Sequence, residues 1–323
     1  MSVTRRRFLE GIAAAGAAGV ARLDGETNAL PTRTLGKTGA RVSILAMGGG
    51  SRYLMYKDED AALEAATKAL DAGITYIDSA DDYGRDHLSE RRLGKVLKGR
   101  RSGIFLATKL TNRNGAESRR IVEESLRALH VDQIDLIHIH ALTTEDDLAQ
   151  VEAKGGPLEQ LFKMRDEKLT RFVGITSHYD PVVLRTALER HDFDCAQMAL
   201  NGARTGMKSG ARGMVPNPDI VTSFETSALP VANRKNMGVI AMKVFAQDAL
   251  LNGASPEKLL HYSLSLPVAT AVVGMPKLEH IAANVEFARN FRPLSRTEMQ
   301  HISGSLATKK AELDRFFSTH VDG

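Results

Sequence analysis

Residues 73–84 read GITYIDSADDYG, and how this stretch is read decides the fold. An apolar run of strand length, 74–78, stops at Asp78, and a turn-rich segment carrying Asp81, Asp82, Tyr83 and Gly84 follows. The same grammar recurs downstream. The run IFLATKL (104–110) carries Lys109 near its end, and DQIDLIHIH (132–140) ends at His140. Strand side chains alternate in direction. Asp78 therefore shares a face with Tyr76 and Ile74, Lys109 with Ala107 and Phe105, and His140 with His138. Polar groups at the carboxyl ends of successive parallel strands converge on one mouth, which is where α/β barrels do chemistry.

Working outward, strand-like runs fall at 42–47, 74–78, 104–108, 134–139, 172–176, 194–197, 239–242 and 271–273. Helix-period segments lie between or after them at 59–71, 89–98, 117–129, 157–168, 180–190, 220–237, 256–265, 278–290 and 295–317. Eight strand–helix alternations predict an α/β chain, a (β/α)8 TIM barrel, over residues 31–323. A hairpin with turn residues Gly36, Thr38 and Gly39 precedes it, and an extra C-terminal helix follows. A doubly wound sheet would want a Gly-x-Gly-x-x-Gly turn after its first strand. Gly48-Gly49-Gly50 lacks that spacing and suits a tight turn beside a ligand. The long connection 201–218 is Gly-rich and holds Arg204, Lys208 and Arg212. It reads equally as a cover over an anionic cofactor and as a solvated loop.

The bulk numbers narrow the class. The 323 residues are 43% hydrophobic and 25% charged, ordinary values for a globular protein. The net charge of +4 comes from 43 basic and 39 acidic residues scattered along the chain, which gives no footprint for nucleic acid. The lone Cys195 excludes an intramolecular disulfide and sits in an apolar stretch as a buried small residue. No metal-ligand set is read.

Residues 1–30 are set apart as a leader. Arg5-Arg6 followed by Phe8-Leu9 and an Ala/Gly-rich run resembles a twin-arginine (Tat) export signal, with Glu10 where a lysine is usual. The run is too short and too Gly/Ala-rich for a membrane span, so stable membrane insertion is not expected. The leader implies the Tat export machinery as a partner and a periplasmic destination, or a cytoplasmic one if it does not function.

From residue 46 to 290 the ordered motifs GITYIDSADDYG, SERRLGKVLKG (89–99), LATKL (106–110), DQIDLIHIH, VGITSH (173–178), GVIAMKVF (238–245) and VVGMPKLEHIAANV (272–285) resemble the aldo-keto reductases. The resemblance implies an NADP-dependent oxidoreductase, NAD being possible, that reduces aldehyde or ketone carbonyls of small molecules to alcohols. It implies Tyr83 as general acid, Lys109 lowering the phenol pKa, Asp78 holding Lys109, and His140 orienting the carbonyl. His138, one layer deeper, is expected to be a packed, hydrogen-bonded core residue. The resemblance further implies Ser177, His178 and Gln197 at the nicotinamide carboxamide, and Lys243 at the pyrophosphate. Gly274, Lys277 and Asn284 would serve the adenosine-phosphate end. This sequence departs from the family where Ser-Asn becomes Ser177-His178, where an aromatic is expected near Leu200, where His280 replaces glutamine, and where Ala141 follows His140 in a chain without tryptophan. Those departures leave two further readings: a nicotinamide-binding regulatory or sensor protein with vestigial activity, and an exported oxidoreductase with permanently bound NADP.

Overall fold

The computed structural model describes residues 29–210, 213–217 and 220–308; the leader motif, Arg212 and the end of the predicted last helix lie outside them. An antiparallel hairpin, β1 (Thr32–Thr34) and β2 (Arg41–Ser43), comes first. Then β3 (Leu45–Gly48), β4 (Tyr76–Asp78), β5 (Phe105–Leu110), β6 (Ile134–Ile139), β7 (Thr170–Ser177) and β8 (Cys195–Ala199) line up in parallel. A second antiparallel hairpin, β9 (Met207–Gly210) and β10 (Gly213–Pro216), interrupts the series. The strands β11 (Gly238–Met242) and β12 (Thr270–Val273) complete it, and β12 pairs with β3 to close an eight-stranded barrel. The expected (β/α)8 architecture is present. The predicted run 42–47 is divided at Ile44, its first part pairing in the hairpin and its second entering the barrel.

Apart from Arg171 and Phe172 near the start of β7, the barrel strands are buried on both faces, as parallel strands sheathed by helices must be. One face packs on the helices and the other fills the barrel. Inside the lower half, Tyr76 stacks on Phe105 with centroids 5.3 Å apart, and Phe105 on Phe172 at 6.2 Å. Cys195, Leu136, Ile240 and Val272 complete this layer, and Leu35 and Val42 of the first hairpin join it, both fully buried. Apolar bulk therefore stops up the lower end and leaves the polar strand ends to form the other.

Three local readings change. The predicted helix 220–237 shrinks to Ala228–Arg234. Upstream, the hydroxyls of Ser223 and Thr226 bond to each other and to nearby backbone groups, which competes with helix formation. A helix absent from the sequence reading, Glu145–Glu152, starts where the Thr144 side chain accepts from the Asp147 amide and acids fill the first turn. The connection 201–218 contains the β9–β10 hairpin, laced to the barrel by Met207 N–H to the His178 carbonyl at 2.5 Å and Asn217 Nδ2 to the Tyr179 carbonyl at 2.8 Å. The C-terminal helix Arg296–Thr308 is present within the described residues. No helix among them is long and apolar enough to cross a membrane.

Gly36 docks the first hairpin on the barrel floor. Its φ is +48°, and a Cβ there would lie 2.4 Å from the backbone of Met237 and Gly238. Gly36→Ala is expected to lower stability by about 2–4 kcal/mol through left-handed strain and a backbone clash, read as a reduced urea midpoint with an unchanged slope.

Candidate active site

Lys109 comes near the end of β5 and is 2% exposed. Its Nζ lies 2.6 Å from Asp78 Oδ2, 2.5 Å from the Ser79 carbonyl and 3.3 Å from Tyr83 Oη. Three acceptors thus meet the three ammonium protons. Burial disfavours the charge, but Asp78 and Tyr83 more than offset it, and Lys109 is held above the usual lysine range. Tyr83 departs from the sequence expectation. Burial raises its phenol, and the nearby Lys109 charge only partly reverses this, so the net shift is upward. A buried phenol with that shift keeps its proton through the neutral range.

His140 follows β6 and is 9% exposed, with its ring edge-on to Tyr83 at 5.6 Å. A set of residues that sequence reasoning missed fixes it. Its Nδ1 is 2.8 Å from Thr111 Oγ1 and 3.3 Å from Asp82 Oδ1. Thr111 in turn donates to Asp81 at 2.7 Å. Arg113 donates to the carbonyls of His140 (2.7 Å) and Thr111 (3.0 Å), and is itself gripped by both oxygens of Asp147 at 2.6 and 3.0 Å. Burial raises the Asp81 carboxyl, partly opposed by its bond from Thr111. Burial would also raise Asp82, but the hydrogen bond and charge of His140 outweigh it and Asp82 is lowered. The adjacent acids between a strand end and Tyr83 were a visible signal. Arg113 had none, because its role lies in whose carbonyls it reaches.

His138 lies in the barrel wall beneath this layer. It is packed, with Gly174 making room: a Cβ there would sit 2.4 Å from its Nδ1. Contrary to expectation, neither ring nitrogen has a well-formed hydrogen bond among the described residues. Burial, with Lys109 and His140 nearby, holds its imidazole well below the usual range.

A cavity of ≈ 520 Å³ opens over these groups. Asp78, Tyr83, Lys109 and His140 all line it, together with His178, Gln197, Lys243 and Gly274. His178 donates from Nδ1 to the Met207 carbonyl at 2.9 Å, and burial, with the charge of Lys243, pulls it down to about 3. Gln197 is buried, and its Oε1 has no partner among the described residues. Gly274 lies against Arg52, whose side chain spans to the Gln247 carbonyl (2.9 Å) and Asp248 (3.1 Å) across the mouth. Lys243, Ala246, Gln247 and Asp248 all take positive φ, a strained run of the kind found at ligand sites.

Three expected cofactor residues are not on the cavity wall. Ser177 is buried and donates to the Leu142 carbonyl at 2.7 Å. Lys277 is exposed, 3.9 Å from Glu279. Asn284 is buried on the helix Leu278–Arg289. Leu200 is also buried off the wall, whereas Phe245 lines it. Arg204 is drawn to Glu225 (3.1 Å) and Tyr262 (3.1 Å) instead of reaching over the mouth.

The parallel eight-stranded barrel brings a buried Lys–Asp pair, a phenol and an imidazole to one mouth, a set of groups able to move a proton. A sequence profile of the Aldo/keto reductase family matches residues 45–259, and the chain belongs to that family. It is 26% identical over 311 residues to the uncharacterized oxidoreductase YqkF of Bacillus subtilis, covering 83% of this chain and 94% of that one. It is 28% identical over 174 residues to the aldo-keto reductase yakc, designated NADP(+), of Schizosaccharomyces pombe, covering 49% of this chain and 48% of that one. The holo form of the aldo-keto reductase AKR11C1 from Bacillus halodurans superposes with a TM-score of 0.69 at 26% identity, covering 85% of this chain and 96% of that one.

Beside the site, Glu90 is fully buried and accepts from Thr108 Oγ1 and from His87, each at 2.5 Å. The Glu90 hydrogen bond raises the His87 imidazole, with burial opposing. Folding therefore favours charged His87. Its stabilisation is complete below the unfolded value of ~6.5 and is lost as pH rises through the higher folded value. His87→Gln is expected to cost stability at about pH 5.5, with the deficit shrinking toward about pH 9, as read from urea midpoints at the two values.

Proposed function

We propose that the protein reduces an aldehyde or ketone carbonyl to an alcohol with NADPH, Tyr83 serving as proton donor. The observation that carries this is the buried ammonium of Lys109 placed between Asp78 and Tyr83 on the cavity wall. In the reaction the Tyr83 hydroxyl gives its proton to the carbonyl oxygen as the carbonyl carbon gains a hydride. The resulting phenolate is stabilised by Lys109, whose charge Asp78 maintains. His140 faces the same oxygen and orients it.

The residues present fit a nicotinamide cofactor. Unpartnered Gln197 Oε1 suits an amide N–H, Lys243 and Arg52 bring positive charge to the rim, and Gly274 permits close backbone approach. Bound NADPH supplies the hydride. NADP rather than NAD is supported by the name of the fission-yeast relative. The Ser177, Lys277 and Asn284 assignments draw no support from the cavity wall, and Arg52 and Phe245 are stronger candidates for the cofactor side.

Tyr83→Phe is expected to cut carbonyl reduction by about 10²–10⁴-fold while NADPH binding, followed by nicotinamide fluorescence, stays within a few-fold. Unchanged turnover would reject the role, and retained binding with no turnover in the unmodified protein would favour a regulatory reading. We also propose Tat export. Replacing Arg5 and Arg6 together with lysine is expected to hold the protein in the cytoplasm by cell fractionation, and unchanged distribution would contradict it.

A further inference from the structure

We propose that Asp81, Thr111 and Asp82 form a one-proton switch on His140, presenting the substrate oxygen with a donor when the network holds an extra proton and with an acceptor when it does not. The proposal rests on the reading above that His140 faces the reacting oxygen.

The argument is a count of hydrogens. Thr111 has one hydroxyl proton. An ionised Asp81 takes it at 2.7 Å, and its other oxygen receives the Thr111 amide at 3.3 Å. Thr111 Oγ1 can then only accept, so His140 Nδ1, 2.8 Å away, must carry a hydrogen. Asp82 Oδ1, 3.3 Å from the same nitrogen, is also only an acceptor. A neutral imidazole has one N–H. Nε2 is therefore left as a lone pair. It can accept from an alcohol hydroxyl and cannot donate to a carbonyl.

One added proton reverses this by either of two routes. On the ring it makes an imidazolium, which Asp82 flanks, and Nε2 becomes N–H. On Asp81 it makes a carboxylic acid that donates to Thr111 Oγ1. Thr111 then turns its own proton toward Nδ1, and the ring hydrogen resides on Nε2. The two forms hold the same number of protons. They interconvert when Asp81 passes a proton to Thr111 as Thr111 passes one to Nδ1, with no net change at the hydroxyl. Burial of Asp81 favours its neutral form, which makes the second route accessible.

The other ionisable groups around the ring do not supply this control. Lys109 of β5 is committed to Asp78, and Arg113 to Asp147. His138 of β6 and His178 after β7 are held neutral by burial, and Tyr83 packs against the ring in a T-shaped contact. Among the described residues, Asp81 and Asp82 are the carboxylates that bear on Nδ1.

The test reads nitrogen and kinetics separately. In full-length protein labelled with ¹⁵N-histidine, the His140 ring is expected to carry its proton on Nδ1 at about pH 9, above the ordinary imidazole range. It should gain an Nε2 proton as pH falls. Asp82→Asn is expected to move this gain, and the pH at which KM for a carbonyl rises, about one unit lower, roughly a tenfold higher carbonyl KM at fixed pH; KM for the alcohol should hardly change. Thr111→Val should lose the Nδ1 preference, and Thr111→Ser should restore it. A neutral ring protonated on Nε2 at about pH 9 in the unmodified protein would overturn the proposal, as would a carbonyl KM indifferent to Asp82→Asn. If no carbonyl or alcohol is turned over, the functional reading fails, while the nitrogen spectra still decide whether the switch exists.

Discussion

The site depends on keeping one ammonium charged in a place with almost no water. Lys109 is 2% exposed, and a lone buried cation would lose its proton or destabilise the barrel. Asp78, the Ser79 carbonyl and Tyr83 supply its three partners, all from β4 or the loop that follows it. The pairing of β4 with β5, where Asp78 stands opposite Ala107, brings the two strand ends to the same height. Breaking such a pair by removing one partner typically costs several kcal/mol, so the barrel and the chemistry share this interaction.

The rest of the mouth is arranged around it in two halves. On one side, the Arg113–Asp147 pair holds the backbone of His140 and Thr111, so the imidazole is positioned by its carbonyl as well as its ring. On the other side, the strained loop 243–248 and Arg52 line the cavity and are tied together by the Arg52–Asp248 pair. The β9–β10 hairpin joins the halves through His178, whose Nδ1 is spent on the Met207 carbonyl. That bond leaves Nε2 of a neutral ring as an acceptor. The departure from the family's Ser-Asn pair is therefore a change in hydrogen-bond polarity as well as in size.

Much of this was legible in the sequence because strand ends are written in a simple code. Apolar runs that stop at Asp78, Lys109 and His140 gave both the barrel and the four groups at its mouth. What stayed hidden follows from other physics. The helix Glu145–Glu152 is short and acid-rich, so its cap and dipole, more than its apolar pattern, define it. The hairpin at 207–216 is Gly-rich and takes its place from carbonyls of His178 and Tyr179 that no local pattern reveals. The Tyr83 shift is half legible, because the lowering by Lys109 can be read from spacing, whereas the depth of burial that outweighs it cannot. Lys277 and Asn284 match a motif, yet the first is exposed, the second is buried, and neither lines the cavity.

The central claim is that the Lys109 charge assists proton delivery by Tyr83. Its most direct test is single-turnover oxidation of NADPH by a carbonyl substrate in Lys109→Met, compared with the unmodified protein at matched NADPH occupancy. The account predicts hydride transfer slowed by about 10²-fold or more with nicotinamide binding preserved. Equal rates in the two proteins would contradict it.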